Sequence, residues 1–118
     1  MNQVILIGHL TANPESRYFA SGANVTHFRI AVDRPKPREN QPQTDFFHCQ
    51  AWGKLGDIIS EFTRMGHQVA VQGSIHIESY DYEGQLRWKT YVKAENVRFL
   101  TSKAEATRLT EVREATAV

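Results

Sequence analysis

The residue types that most often do chemistry are scattered along this chain. Five histidines, His9, His27, His48, His67 and His76, are spread over 118 residues. No pair has the close spacing of a zinc site, and Cys49 has no second cysteine to join it. No metal is expected. There is no glycine-rich phosphate loop and no nucleophile motif. The acidic residues are dispersed, so no pair of carboxylates can be assigned to acid–base work. The chain therefore reads as a non-enzyme, with no catalytic residue and no cofactor. His9 fits a subunit contact better than a ligand role. What is left is a set of aromatic and basic side chains. Flat rings offer stacking surfaces, and cations offer contacts to anions. The same rings serve equally as core or interface packing, and the same charges as solvated surface.

The elements that position these side chains follow from hydrophobic periodicity. Val4-Ile5-Leu6-Ile7 is a short β-rich run ending at Gly8. Asn13-Pro14-Glu15 reads as a turn, followed by a short extended piece, Arg17-Tyr18-Phe19. Ser21 to Asn24 is a second turn. Val25 to Val32 alternates, with Phe28, Ile30 and Val32 on one face and His27, Arg29 and Ala31 on the other. Asp33 to Thr44 holds three of the four prolines and reads as a long exposed loop. Its first half carries Arg34, Lys36 and Arg38. Asp45 to Gly53 alternates again. Phe47, Cys49 and Ala51 form the core set, leaving Phe46, His48, Gln50 and Trp52 outward.

Leu55, Ile58, Ile59, Phe62 and Met65 then fall on one stripe of a helix, with Gly66 as its stop. Gln68 to Tyr80 returns to a period of two. Val69, Val71, Ile75 and Ile77 share a face with Gly73, which marks a bend or bulge. Ser74, His76, Glu78 and Tyr80 take the other face. Asp81 to Gly84 is a hairpin tip, and Leu86 to Leu100 is the last long strand. The apolar parity of that strand shifts between Val92 and Val97, which predicts a second bulge near Glu95-Asn96.

Composition bounds the class. The net charge is +1, with 41% hydrophobic and 23% charged residues, as in an ordinary globular domain. A single cysteine excludes an intrachain disulfide and fits a reducing compartment. No apolar run approaches the roughly 18 residues of a membrane span, and no secretory signal is visible. A cytoplasmic protein is expected. Residues 1–100 read as one domain. Residues 101–118 read as a short tail, either a frayed helix or disordered.

The order is strand, strand, strand, helix, strand, strand. Curving strands with internal glycines favour closure. This describes a mostly β protein: the five-stranded Greek-key OB-fold barrel, with one helix between strands 3 and 4, that binds oligonucleotides and oligosaccharides.

Five segments then make the pattern specific: Met1 to Gly8, Asn13-Pro14-Glu15-Ser16-Arg17-Tyr18, Ser21 to Val32, Thr44-Asp45-Phe46-Phe47 through Trp52-Gly53-Lys54-Leu55, and Met65 to Gly73. In this order and spacing they resemble the bacterial single-stranded DNA-binding proteins over roughly Met1 to Leu100. The resemblance implies a homotetramer that holds single-stranded DNA without sequence preference, in replication, recombination and repair. It implies base stacking on Phe46, Trp52 and Tyr80, with Trp88 and Tyr82 as further candidates. It implies phosphate contacts from Arg34, Lys36, Arg38, Lys54, Arg87, Lys89 and Lys93.

Two departures stand out. The family often has an aromatic early in the loop after the second strand, where this chain has Lys36. Many members also end in an acidic tip that recruits replication and repair proteins, whereas this sequence ends Arg113-Glu114-Ala115-Thr116-Ala117-Val118. A second reading stays open: a dimeric barrel resembling the primosomal replication-restart proteins, which binds protein partners and single-stranded DNA.

Overall fold

The structure is a computed structural model, and it describes residues 1–36, 38–102 and 105. Val4–Leu10 forms β1, Glu15–Tyr18 β2, Asn24–Asp33 β3 and Thr44–Trp52 β4. The helix α1 spans Gly53–Phe62; Gln68–Tyr82 and Gln85–Phe99 form β5 and β6. The helix thus lies between the third and fourth of five long strands, as the periodicity predicts. The short extended piece after the first turn is β2, a sixth strand laid along β3.

The long strands close into a ring. β1 pairs with β5 from Val4↔Gly73 to His9↔Gln68. Its last residues also pair with β3, His9↔Ala31 and Leu10↔Ile30. β3 runs antiparallel to β4 from Val25↔Trp52 to Asp33↔Thr44, and β5 and β6 form one long hairpin. A short parallel contact between β4 and β6, Cys49↔Val92 and Gln50↔Lys93, completes the circuit. Closure leaves these strands no open edge within the ring.

The curvature that closure needs has a local source. The β5–β6 register slips between Gln72↔Asn96 and Gly73↔Ala94, leaving Glu95 without a partner. This is a β-bulge, and it lies where the parity shift of the last strand predicts one. A Cβ at position 73 would collide with the Lys93 carbonyl oxygen. Glycine there lets the two backbones approach at the bend.

The core is built from the alternating faces. Phe28 and Ile30 of β3, Cys49 and Ala51 of β4, and Val69 and Val71 of β5 pack with Val92 and Ala94 of β6 and with Ile59 of α1. Burial alone pushes the Cys49 thiol up to about 12. It is a core filler, not a nucleophile.

Three expectations need correction. The helix stops at Phe62 instead of running to Met65. The backbone turns extended at Thr63, with φ −121° and ψ 153°, and its N–H and hydroxyl both donate to the Ile59 carbonyl, at 3.0 and 2.6 Å. Gly66, with φ +91°, belongs to the turn that follows, and Phe62 and Met65 are exposed. Second, Ile75 and Ile77 share the face of Val71 but are 43% and 63% exposed. The hairpin leaves the ring there, and every residue from Glu78 to Thr90 is exposed. Third, Gln50 is buried although its parity is outward.

The reading of residues 101–118 as a tail lies outside the described residues except at Thr101, Ser102 and Glu105. Thr101 Oγ1 accepts from the Gln68 N–H at 2.6 Å, fixing the end of β6 beside the start of β5. Among the described residues no helix is long and apolar enough to cross a membrane.

Gly73→Ala tests the bend directly. The substitution should cost about 1–3 kcal/mol through overpacking, read as a lower urea midpoint at unchanged slope. A loss below about 0.5 kcal/mol, the range of neutral surface changes, would mean that β5 and β6 can separate there freely.

Candidate nucleic-acid interface

The outer face of β3 and β4 carries His27, Arg29 and Ala31 beside Phe46, His48 and Gln50. The register sets Ala31 opposite Phe46, Arg29 opposite His48 and His27 opposite Gln50. Phe46 is 53% exposed. The Arg29 guanidinium carbon lies 4.6 Å from the centroid of its ring. That places a cation over one ring face, an arrangement the ring quadrupole favours.

Trp52 sits at the far end of β4. Six residues of strand separate it from Phe46, about 20 Å. It is the residue from which α1 starts. Gly53, at φ +63°, makes the sharp corner between strand and helix. Asn24 holds that corner, donating from Nδ2 to the Gly53 carbonyl at 3.1 Å and to Asp57 Oδ1 at 3.0 Å. The Tyr18 hydroxyl donates to the same Asp57 oxygen at 3.2 Å. The nearby Asp57 charge pushes the Tyr18 phenol above its ordinary value. The rings of Phe19 and Trp52 stack, with centroids 6.1 Å apart and 15° between planes. Lys54 is exposed in the first turn of α1.

The base of the proline-rich loop is clamped. Arg34 donates from Nε and Nη2 to the two carboxylate oxygens of Asp45 at 3.0 and 2.9 Å. This fork pushes the Arg34 value up and holds Asp45 below the usual carboxylate range. The Arg34 N–H also donates to the Gln43 carbonyl at 2.8 Å, and Thr44 Oγ1 donates to Asp33 at 2.9 Å. Lys36 and Arg38 are exposed beyond the clamp.

The hairpin presents two different faces. Tyr80 pairs with Arg87 and Ser79 with Trp88, so Tyr80 and Trp88 point to opposite sides. On the Tyr80 side, Arg87 lies 5.3 Å from the Tyr82 ring centroid. Lys89 Nζ lies 3.9 Å from Glu78 Oε2, and the Tyr91 hydroxyl donates to Glu78 Oε1 at 2.9 Å. Burial first, then Glu78, raises the Tyr91 phenol. Alternation carries this side through Lys89 and Tyr91 to Lys93, which stands opposite Gln50. Tyr80, Arg87, Lys89 and Lys93 therefore continue the outer face of β4. Trp88 lies on the other side, the side of Leu86, Ile75 and Ile77.

Two clefts flank His48. One, of about 210 Å³, lies between β4 and the hairpin and includes Phe46, Phe47, Ile75 and Tyr91 in its wall. The other, of about 140 Å³, is walled by Asn13, Glu15, His27 and Arg29. His27 Nδ1 and His48 Nε2 are 3.1 Å apart. Burial is the main cause holding both imidazoles below their ordinary value. Among the described residues no three candidate ligands gather into a metal site.

The face as a whole thus unites Phe46, Trp52 and Tyr80 with Arg87, Lys89 and Lys93. It separates Trp88 from them and ties Arg34 to a carboxylate. Sequence reasoning overlooked Phe19 and Arg29, whose places depend on ring partners across the fold. The outward parity of Arg29 beside Phe46 was the one available signal.

Comparisons with known proteins agree with this geometry. Residues 1–100 match the model of the single-strand binding protein family. The single-stranded DNA-binding protein of Clostridium perfringens is 40% identical over 104 residues, 86% of this chain and 67% of the relative. That of Halalkalibacterium halodurans is 37% identical over 102 residues, 85% and 61% of the two chains. That of Treponema pallidum is 34% identical over 104 residues, 86% and 59%. The matches span about three-fifths to two-thirds of these relatives. With a closed barrel, outward aromatics and a family match over nearly all the described residues, this chain belongs to the single-strand binding protein family.

Proposed function

We propose that this protein binds single-stranded DNA without sequence preference, along the outer face of β3 and β4 and the Tyr80 side of the hairpin, and that it catalyses nothing. The observation that carries the reading is the placement of Phe46 and Trp52. Both are large rings held out of the core at opposite ends of one strand, with Arg29 and Lys93 on the face between them. Any base has a flat surface to stack, so rings give affinity without sequence readout. Tyr80 extends the row onto the hairpin. Trp88 joins it where the strand crosses to the hairpin's second side. Lys36, Arg38, Lys54, Arg87, Lys89 and Lys93 neutralise phosphates. Arg34 acts mainly as a clamp, since Asp45 already answers its charge. A role in replication, recombination and repair in the cytoplasm, with replication and repair proteins as possible partners, follows from this ligand.

The same reading includes a homotetramer. Ile5 and Ile7 on β1 are 69% and 52% exposed, and Ile77 and Leu86 make a second exposed apolar group. Such surface is what subunit contacts cover. Native mass spectrometry of the free protein should find four copies. A stable dimer with weak DNA affinity would instead support the replication-restart type of barrel.

Anisotropy of a labelled oligo-dT titrated with protein tests the DNA reading. Trp52→Ala and Phe46→Ala should each cost about 1–3 kcal/mol, the range general to such barrels, this family included. No binding by the parent protein at low salt would end the proposal.

Salt dependence separates the cations. Lys36→Ala should flatten the log K against log salt slope by about 0.7, the single-strand value for one phosphate. Arg34→Ala should change it by less. Equal changes for both would mean that the Arg34–Asp45 pair opens on binding.

A further inference from the structure

The His27–His48 pair on the outer face has no part in the roles given above. His27 Nδ1 and His48 Nε2 are 3.1 Å apart, and the rings are tilted by 37° with centroids 5.3 Å apart. At that distance one nitrogen donates and the other accepts. In the neutral pair, the donor ring carries its only hydrogen at the contact, so its outer nitrogen is bare. The acceptor ring carries its hydrogen on its outer nitrogen. One added proton goes to the bare outer nitrogen. The contact hydrogen bond survives and becomes charge-assisted. Both outer nitrogens, His27 Nε2 and His48 Nδ1, then donate. A second proton would set two N–H groups against each other. The geometry therefore accepts one proton without rearrangement and turns a mixed donor and acceptor into a cationic fork.

The surroundings favour an anion in front of that fork. From β2, Glu15 stands opposite His27 in register, with Arg17 two residues further on. From β3, Arg29 stands opposite His48. From β6, Lys89 acts on both rings, and Lys93 stands opposite Gln50. From β5, Glu78 partly answers Lys89. Burial comes first in holding both imidazoles below their ordinary range. Arg17 and Lys89 then act on His27, offset by Glu15, while His27, Lys89 and Arg29 act on His48. An arriving phosphate reverses the cationic part of this field. The cleft of about 140 Å³ beside the pair has room for a phosphate, with Arg29 and Asn13 in its wall and Glu15 as the one opposing carboxylate there.

We propose that the His27–His48 pair is a proton-gated phosphate contact, which takes up one proton when a DNA backbone phosphate seats against it and Arg29. The proposal rests on the DNA-binding reading above. The sign follows from linkage: a ligand that favours the charged pair binds more tightly as pH falls through the imidazole range.

The test is oligo-dT binding to the full chain at constant salt, from pH 8.0 down to 5.5. Thymine has no group that titrates there. Affinity should rise as pH falls, by up to about tenfold for each unit by which DNA raises the pair's pKa. The salt slope should steepen by about 0.7 at the acid end. Calorimetry of the parent protein in two buffers of different ionisation enthalpy should show net proton uptake, whether or not any variant folds. The double variant His27→Gln/His48→Gln should remove the pH dependence, and His48→Gln alone should reduce it to the shallower profile of one lone imidazole. His76→Gln, on the same outer face, should keep the parent profile. Affinity that is flat with pH, no proton uptake, or a parent-like pH profile in His48→Gln would each overturn the contact while leaving DNA binding intact. Absence of binding at every pH would overturn both.

Discussion

Ring closure is the constraint on which the rest of this structure depends. β1 must pair with β5 on one side and reach β3 with its last residues on the other. That is possible only because the β5–β6 hairpin bends at Glu95 and Gly73. The bend brings Val92 beside Cys49, and only then do the inner faces of β3, β4, β5 and β6 share one core. The unpaired residue at Glu95 shifts the parity of β6 beyond the bend. Before it, Val92 and Ala94 point inward; after it, the odd position Val97 packs against the core. One extra residue thus lets a single strand serve the barrel along its length.

Closure also decides what the outer face can be. Inward positions are filled mostly by apolar residues, with Thr26 bonded to Ser16 as an exception, so His27, Arg29, Phe46, His48 and Trp52 are turned outward as a block. The ends of that block are fixed by polar contacts. Asn24 and Tyr18 hold Asp57 and the Trp52–Gly53 corner. Arg34 and Asp45 hold the entry to β4 next to Phe46. The two rings therefore sit on rigid supports at a set separation. This matters because a stacking surface gains affinity only to the extent that its rings are already ordered.

Much of this was legible in the sequence, and the gaps have physical reasons. Alternation over Asp45 to Gly53 separates Cys49 and Ala51 from Phe46 and Trp52, because a strand's side-chain period is local. The parity shift near Glu95 marks the bulge for the same reason. Alternation does not say how far a sheet continues over a core. Ile75 and Ile77 therefore read as interior although the hairpin has already left the ring. The helix stripe likewise continues to Met65 by spacing alone, while the backbone turns extended at Thr63, whose hydroxyl caps the Ile59 carbonyl. Phe19 against Trp52 and Arg29 over Phe46 are tertiary pairs, with no trace in local spacing beyond outward parity.

A net charge of +1 looks ill suited to an anionic ligand, and the fold resolves the difficulty by sorting charges. Asp45 is held by Arg34, Asp57 by Asn24 and Tyr18, and Glu78 by Tyr91 with Lys89 nearby. These carboxylates are answered within the protein. Lys36, Lys54 and Lys93 stay exposed, with Lys54 two residues from Trp52 and Lys93 opposite Gln50, and Arg29 lies on a ring that leaves its charge unneutralised. Local potential, not net charge, governs how an anion meets the surface. The imidazole pair adds a variable element to that potential. Set among Arg17, Arg29 and Lys89, it is a place where the protein can add positive charge in answer to a phosphate and shed it when the phosphate leaves.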